Sequence, residues 1–261
     1  MDLTCEERPS DSPLVETIWR SGSEDGGSFI SMAGCHWGIV VTRIHGKRIL
    51  TVRGPETRAT PAYSPADAEF FGIQFKTGAL MPNFPAGTLM DRRDVNLPEA
   101  AGRSFWLDGA AWEFPTFENA DTFVNRLVRA GLLIHEPLVE SVLDGQPVRG
   151  ASLRTVQRRF LHATGLRYGL ISQIKRARYA VALLKQGVSI LDTVSEAGYF
   201  DQPHLTRSLK HFVGQTPAQL ADQNRITRLS FLYKTAPLTL PYDTDVLQTA
   251  KGSHHVEKIV R

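Results

Sequence analysis

The sequence predicts an α+β protein, with a β-rich N-terminal part built as a small barrel or sandwich and an all-helical C-terminal part. Three observations carry this. Before Pro115, short β-branched runs alternate with proline and glycine. After Pro115, apolar residues recur at helical spacing. Charge is also unevenly divided. From Arg149 to Gly214 there are eleven Lys and Arg against three Asp and Glu, a balance of +8, while the remainder carries 19 basic and 24 acidic residues, or −5.

Residues 1–28 read as a flexible lead-in ending in SGSEDGG. A β-rich unit is expected over 29–117. Within it "WGIVVTRI" (37–44) and "KRILTVRG" (47–54) are β-branched runs separated by "HG", which marks a hairpin with Gly46 in the turn. "AEFFGIQFK" (68–76) alternates as a further strand. Pro61, Pro65, Pro82, Pro85 and Pro98 break up the rest, which argues against long central strands.

A helical unit is expected over 118–222. "ENADTFVNRLVRAGLL" (118–133) sets Phe123, Leu127 and Ala130 at helical spacing behind acidic Glu118 and Asp121. "EPLVESVLDG" (136–145) has Pro137 near its start and Gly145 past its end. Further helices are expected after Ser152, over about 170–186, over about 190–197 and over about 202–213. Residues 223–261 read as a polar tail with one apolar cluster, "LSFLYK" (229–234), and part of it is expected to be disordered.

Two of these helices share a design. In the last one Asp201 is suited to the N-cap and Pro203 lies in the first turn, where a missing N–H costs little. Leu205, Leu209, Phe212 and Val213 make the buried stripe, leaving Gln202, Thr206, Arg207 and Lys210 outward. Gly198 supplies a tight turn before it. The stretch "ASLRTVQRRFLHATG" (151–165) repeats the logic: Ser152 caps, Leu153, Val156 and Phe160 face inward, and Arg154, Gln157, Arg158 and Leu161 share the outer face. Arg can chelate a guanine edge or bind phosphate, and Gln can pair with adenine. Two such faces joined by one long helix, inside the basic block, point to a polyanion.

Residues 151–220 resemble the DNA-binding domain of the AraC/XylS family of bacterial transcription regulators. The motifs are "SLRTVQRRF" (152–160), "TGL" (164–166), "RARYAVALL" (176–184) and, above all, "GYFDQPHLTRSLKHFVGQTPAQL" (198–220). The resemblance implies two helix-turn-helix units on a linker helix, reading successive major grooves of double-stranded DNA. Arg154, Gln157 and Arg158 would contact DNA from the first recognition helix, and Gln202, His204, Thr206, Arg207 and Lys210 from the second. Gly214 and Pro217 would close that helix. "GQPVRGA" (145–151) is longer than the family's usual turn, and Thr193 and Val194 stand where a larger aliphatic and then a small residue are usual. Residues 29–115 look like the β-rich, often cupin-like sensor of many members. A small-molecule effector, RNA polymerase and a second copy of the chain are further partners that the resemblance admits.

Other chemistry finds little support. His36, His45, Glu56 and Glu69 do not form an HxH or HxxxxE cluster, so no metal is expected. GxSxG, Walker A, GxGxxG and HExxH sequences are absent, and no enzymatic activity or cofactor is expected. Cys5 and Cys35 read as reduced thiols of a cytoplasmic protein. No run approaches the roughly 18 apolar residues of a membrane span, and the polar N-terminus does not read as a secretory signal. The alternative is a ligand-binding or catalytic β domain whose helices serve as an interaction module.

Overall fold

The computed structural model describes residues 5–91, 93–100, 102–148 and 150–222. The tail 223–261, with its apolar cluster, lies outside the described residues. The chain opens with strands β1 (Cys5–Arg8), β2 (Val15–Ser23), β3 (Gly27–Ser31), β4 (Gly38–Ile44), β5 (Lys47–Arg53) and β6 (Thr60–Ser64). Next come β7 (Ala68–Phe75), β8 (Ala79–Leu80), β9 (Val95–Asn96), β10 (Ser104–Leu107) and β11 (Ala110–Glu113), with a 3-10 turn at Ala86–Thr88. After helix α1 (Ala120–Arg129) and strand β12 (Ile134–His135), the rest is helical: α2 (Pro137–Leu143), α3 (Leu153–Thr164), α4 (Tyr168–Lys185), α5 (Ile190–Glu196), α6 (Gln202–Phe212) and α7 (Pro217–Ala221).

Six strands form one antiparallel sheet in the order β1-β2-β7-β4-β5-β9. It is an open sheet with β1 and β9 as edges, so the expected barrel does not close. The proline-broken stretch around Pro82, Pro85 and Pro98 supplies only the two-residue β9 beside β5, and β3 and β6 pair apart as their own ribbon. The β4–β5 hairpin has the expected turn: His45 and Gly46 both take positive φ, 48° and 78°, the sense that matches strand twist in a two-residue loop.

The expected lead-in needs correction. Residues 5–23 contain β1 and β2, and β2 sits inside the sheet beside β7. The Ser, Gly and Glu around it obscure a strand whose Val15, Thr17, Ile18 and Trp19 are all buried. Trp19 opposes Gly72 across the pair, and a Cβ on Gly72 would lie 2.2 Å from the indole. The glycine makes room for the ring.

Burial divides the apolar residues into two clusters. One lies on the sheet and includes Ile18, Ile39, Leu50, Ile73 and Phe75, and the buried face of α1 (Phe123, Val124, Leu127) joins it. The other belongs to α2–α7, yet Met32, Ala33, Cys35 and Leu80 from the β side are part of it. The β side also completes α6. The last carbonyls of a helix have no partner within it. Here the Ala59 N–H donates to the His211 carbonyl and the Ala33 N–H to the Phe212 carbonyl, each at 2.8 Å.

Gly165 ends α3 in the left-handed region (φ 72°) and sits so close to the 3-10 turn that a Cβ would lie 2.6 Å from the Gly87 nitrogen. Gly198 has the same backbone sense (φ 67°) with open space around it. Gly198→Ala is therefore expected to cost roughly 1–2 kcal/mol for conformation alone. Gly165→Ala is expected to cost clearly more in chemical unfolding, because backbone must move. Burial also pushes the Cys35 thiol up to about 11 against the opposing pull of Arg178 and Lys175, whereas Cys5 is exposed. At pH 8 the native protein is expected to give one fast-reacting thiol to a maleimide or disulfide reagent and a second only on unfolding.

Candidate nucleic-acid interface

Two helix pairs, α2–α3 and α5–α6, flank the long helix α4. In each pair the second helix is fixed at its start by a side-chain cap. Ser152 accepts the Thr155 N–H at 3.2 Å, and Asp201 accepts the His204 N–H at 2.7 Å. Helix α3 buries Val156, Phe160 and Ala163, and α6 buries Leu205, Leu209 and Phe212. This inward stripe decides what remains outside. Arg154, Gln157 and Arg158 are exposed on α3, as are Gln202, Arg207 and Lys210 on α6, while Thr206 and His204 are half-buried. The expected outer faces are thus brought out on two helices held by a common linker.

The basic residues differ in their pairing. On the β side Arg43 pairs with Glu69, Arg20 with Glu6 and Glu118, and Arg8 with Asp121. Arg154, Arg158, Arg207 and Lys210 make no ion pair among the described residues. Arg159, one position from Arg158, has a different task. Its guanidinium grips Glu136 through two hydrogen bonds of 3.1 and 2.6 Å, and Glu136 also caps α2 by accepting the Leu138 N–H. This pair ties α3 to the start of α2 across the long connection, which includes Gly145 and Gly150 at positive φ.

The second unit is fixed through its turn. Tyr199 is buried, its hydroxyl shares a 2.9 Å hydrogen bond with Ser208, and the His204 ring packs edge-on against it at 5.1 Å. From α4, Arg176 lies 4.8 Å over the Tyr199 ring and donates to the Gly198 carbonyl at 3.3 Å. Burial pushes the Tyr199 phenol up, so it stays protonated as a hydrogen-bonding group. Thr193 is fully buried in α5, and its hydroxyl has no hydrogen-bond partner among the described residues. The sequence motifs include Arg176 and Tyr199 but assign neither a role, since neither role follows from helical periodicity. Phe200, directly after Tyr199, is 90% exposed and was likewise unremarked.

The β-side residues weighed for a metal lie in unlike settings. His45 is in the hairpin turn, Glu69 is paired with Arg43, and the half-buried His36 has its Nδ1 3.2 Å from the Phe75 carbonyl, with burial holding its pKa below the ordinary value. No described helix is long and apolar enough to cross a membrane.

Residues 149–223 match the family model described as a helix-turn-helix domain. No curated protein and no solved structure gives a significant match to the chain.

The contrast between Arg158 and Arg159 can be measured directly. Arg159→Ala is expected to lower the unfolding free energy by up to about 1 kcal/mol, the range of a partly exposed bidentate pair. Arg158→Ala is expected to leave it within about 0.5 kcal/mol. Equal losses from both would show that Arg158 also has a structural role.

Proposed function

From the match of residues 149–223 to a helix-turn-helix domain model, together with the motifs resembling the AraC/XylS family, we propose that the protein is a sequence-specific DNA-binding regulator of transcription. In this reading it is not an enzyme. Arg154, Gln157 and Arg158 contact DNA from α3, and Gln202, His204, Thr206, Arg207 and Lys210 from α6. The observation that carries the reading is the pair of capped helices whose outward cations are left without carboxylate partners. Exposed cations of this kind neutralise phosphates and release counterions, and the bidentate ends of the Arg and Gln side chains supply discrimination between bases.

The same proposal includes control by a small molecule bound on the β side. Its support is a cavity of about 380 Å³ lined by Trp19, Phe29, Trp37, Glu56 and Tyr63, with Arg178 of α4 in its wall. Met32 and Gly34 also line it, and they flank Ala33, whose N–H holds the end of α6. A larger cavity of about 650 Å³ lacks any residue of α2–α7, and it is lined by the paired Arg20, Arg43, Glu69 and Glu118. The smaller one is the better control site, because its walls include groups that touch the helical part. A ligand there acts only through different affinity for two arrangements of the protein, and DNA must alter the ligand's affinity by the same factor.

The test is selection of bound sequences from random duplex DNA at near-physiological salt. Two motif blocks about one helical turn apart are expected. Arg154→Ala should relax one block and Arg207→Ala the other, each costing ~1–3 kcal/mol at its own position. Binding that ignores DNA sequence, or that survives both substitutions unchanged, would overturn the reading.

A further inference from the structure

We infer that Phe200 is a specificity-determining residue that packs on the 5-methyl group of a thymine in the major groove entered by α6. This rests on the DNA-binding reading above and adds an apolar contact to the polar readers of α6. Phe200 is 90% exposed, the highest exposure among the large apolar side chains of the described residues. A single apolar residue on a surface is ordinary. What sets this one apart is where it stands and how firmly it is held.

It stands immediately before Asp201, the N-cap of α6, and two residues before Gln202. The N-terminal end of a recognition helix is the end that meets base edges. A phenyl ring at that end is therefore carried into the groove beside the polar readers. It finds one apolar feature there, since thymine alone among the four bases presents a methyl group. The helix that follows agrees with this occupant: Arg207 and Lys210 are exposed on α6 and have no carboxylate partners among the described residues, so α6 presents cations suited to a phosphate backbone.

The backbone beneath the ring is fixed on both sides. Tyr199 is buried and bound to Ser208 and Arg176, Asp201 is bonded to the His204 N–H, and the Phe200 N–H itself points at His204 Nδ1 at 3.5 Å. The ring thus projects from an ordered base, and little backbone order has to be gained on binding. Because the side chain is exposed, Phe200→Ser should fold like the parent protein.

The experiment uses the full chain and the site it selects. Each thymine in the α6 half-site is replaced in turn by 2′-deoxyuridine, which removes the methyl and nothing else. Binding is then compared for the parent protein, Phe200→Ser and Phe200→Leu. At one thymine the replacement is expected to weaken the parent by about fourfold, the worth of one buried methyl. In Phe200→Ser that penalty should vanish at that position alone, and in Phe200→Leu it should shrink and persist. If the parent selects a site but feels no methyl, or if the penalty survives in Phe200→Ser, the contact is wrong while the DNA-binding reading stands. If the parent selects no sequence at all, both fall together.

Discussion

The end of α6 is the point on which the architecture depends. A helix leaves its last carbonyls without partners, and in most proteins water or a left-handed glycine cap answers them. In this chain α6 has such a glycine, Gly214 (φ 78°), whose N–H reaches the Leu209 carbonyl, and in addition two N–H groups from the β side, on Ala33 and Ala59, reach the carbonyls of Phe212 and His211. Gly214, just beyond, lies so close to Ile30 and Ala59 that a Cβ would stand 3.1 and 3.2 Å from them. The helix that presents Gln202 at its start and Arg207 midway is therefore held at its end by residues from far away in the sequence. Around this contact the apolar groups follow: Met32, Ala33, Cys35 and Leu80 share the cluster of α2–α7.

The first unit is held by different means. Arg159 locks α3 to the start of α2, and Gly165 brings the end of α3 against the backbone of Gly87. Both units therefore rest on the β side, while α4 runs between them. The distance between two recognition helices sets which pair of grooves a protein can engage. Here the placement of α3 and α6 is governed by more than the helix α4 between them, because backbone contacts from the β side meet the end of each.

The helical part was legible in the sequence because its signals are local. Ser152, Asp201, Gly165 and Gly198 sit at caps and turns, and Val156, Phe160, Leu205 and Leu209 keep a helical period. Every outer-face residue named from that period is exposed or half-buried. The hairpin of β4 and β5 was legible for the same reason. The strand β2 was not, because Ser21, Gly22 and Ser23 read as a linker and only pairing with β7 shows otherwise. Nor was the junction, since Ala33 and Ala59 act through backbone N–H groups, which leave no trace in residue type. Phe200 escaped notice because it lies between two helices, where no period says which way a side chain faces.

The close seat of Gly165 on Gly87 has a consequence for how such a protein can be rearranged. A DNA reader joined to its sensor by a loose tether can be grafted onto another sensor and keep its folding and specificity. In this chain the helical part shares a core and backbone hydrogen bonds with the β part, so a foreign N-terminal domain would leave apolar surface uncovered and two helix carbonyls without these donors. The two halves are fitted to each other as the subunits of an obligate pair are, and changes in one must be matched in the other. Chimeras cut between them would fail first in solubility and only afterwards in recognition.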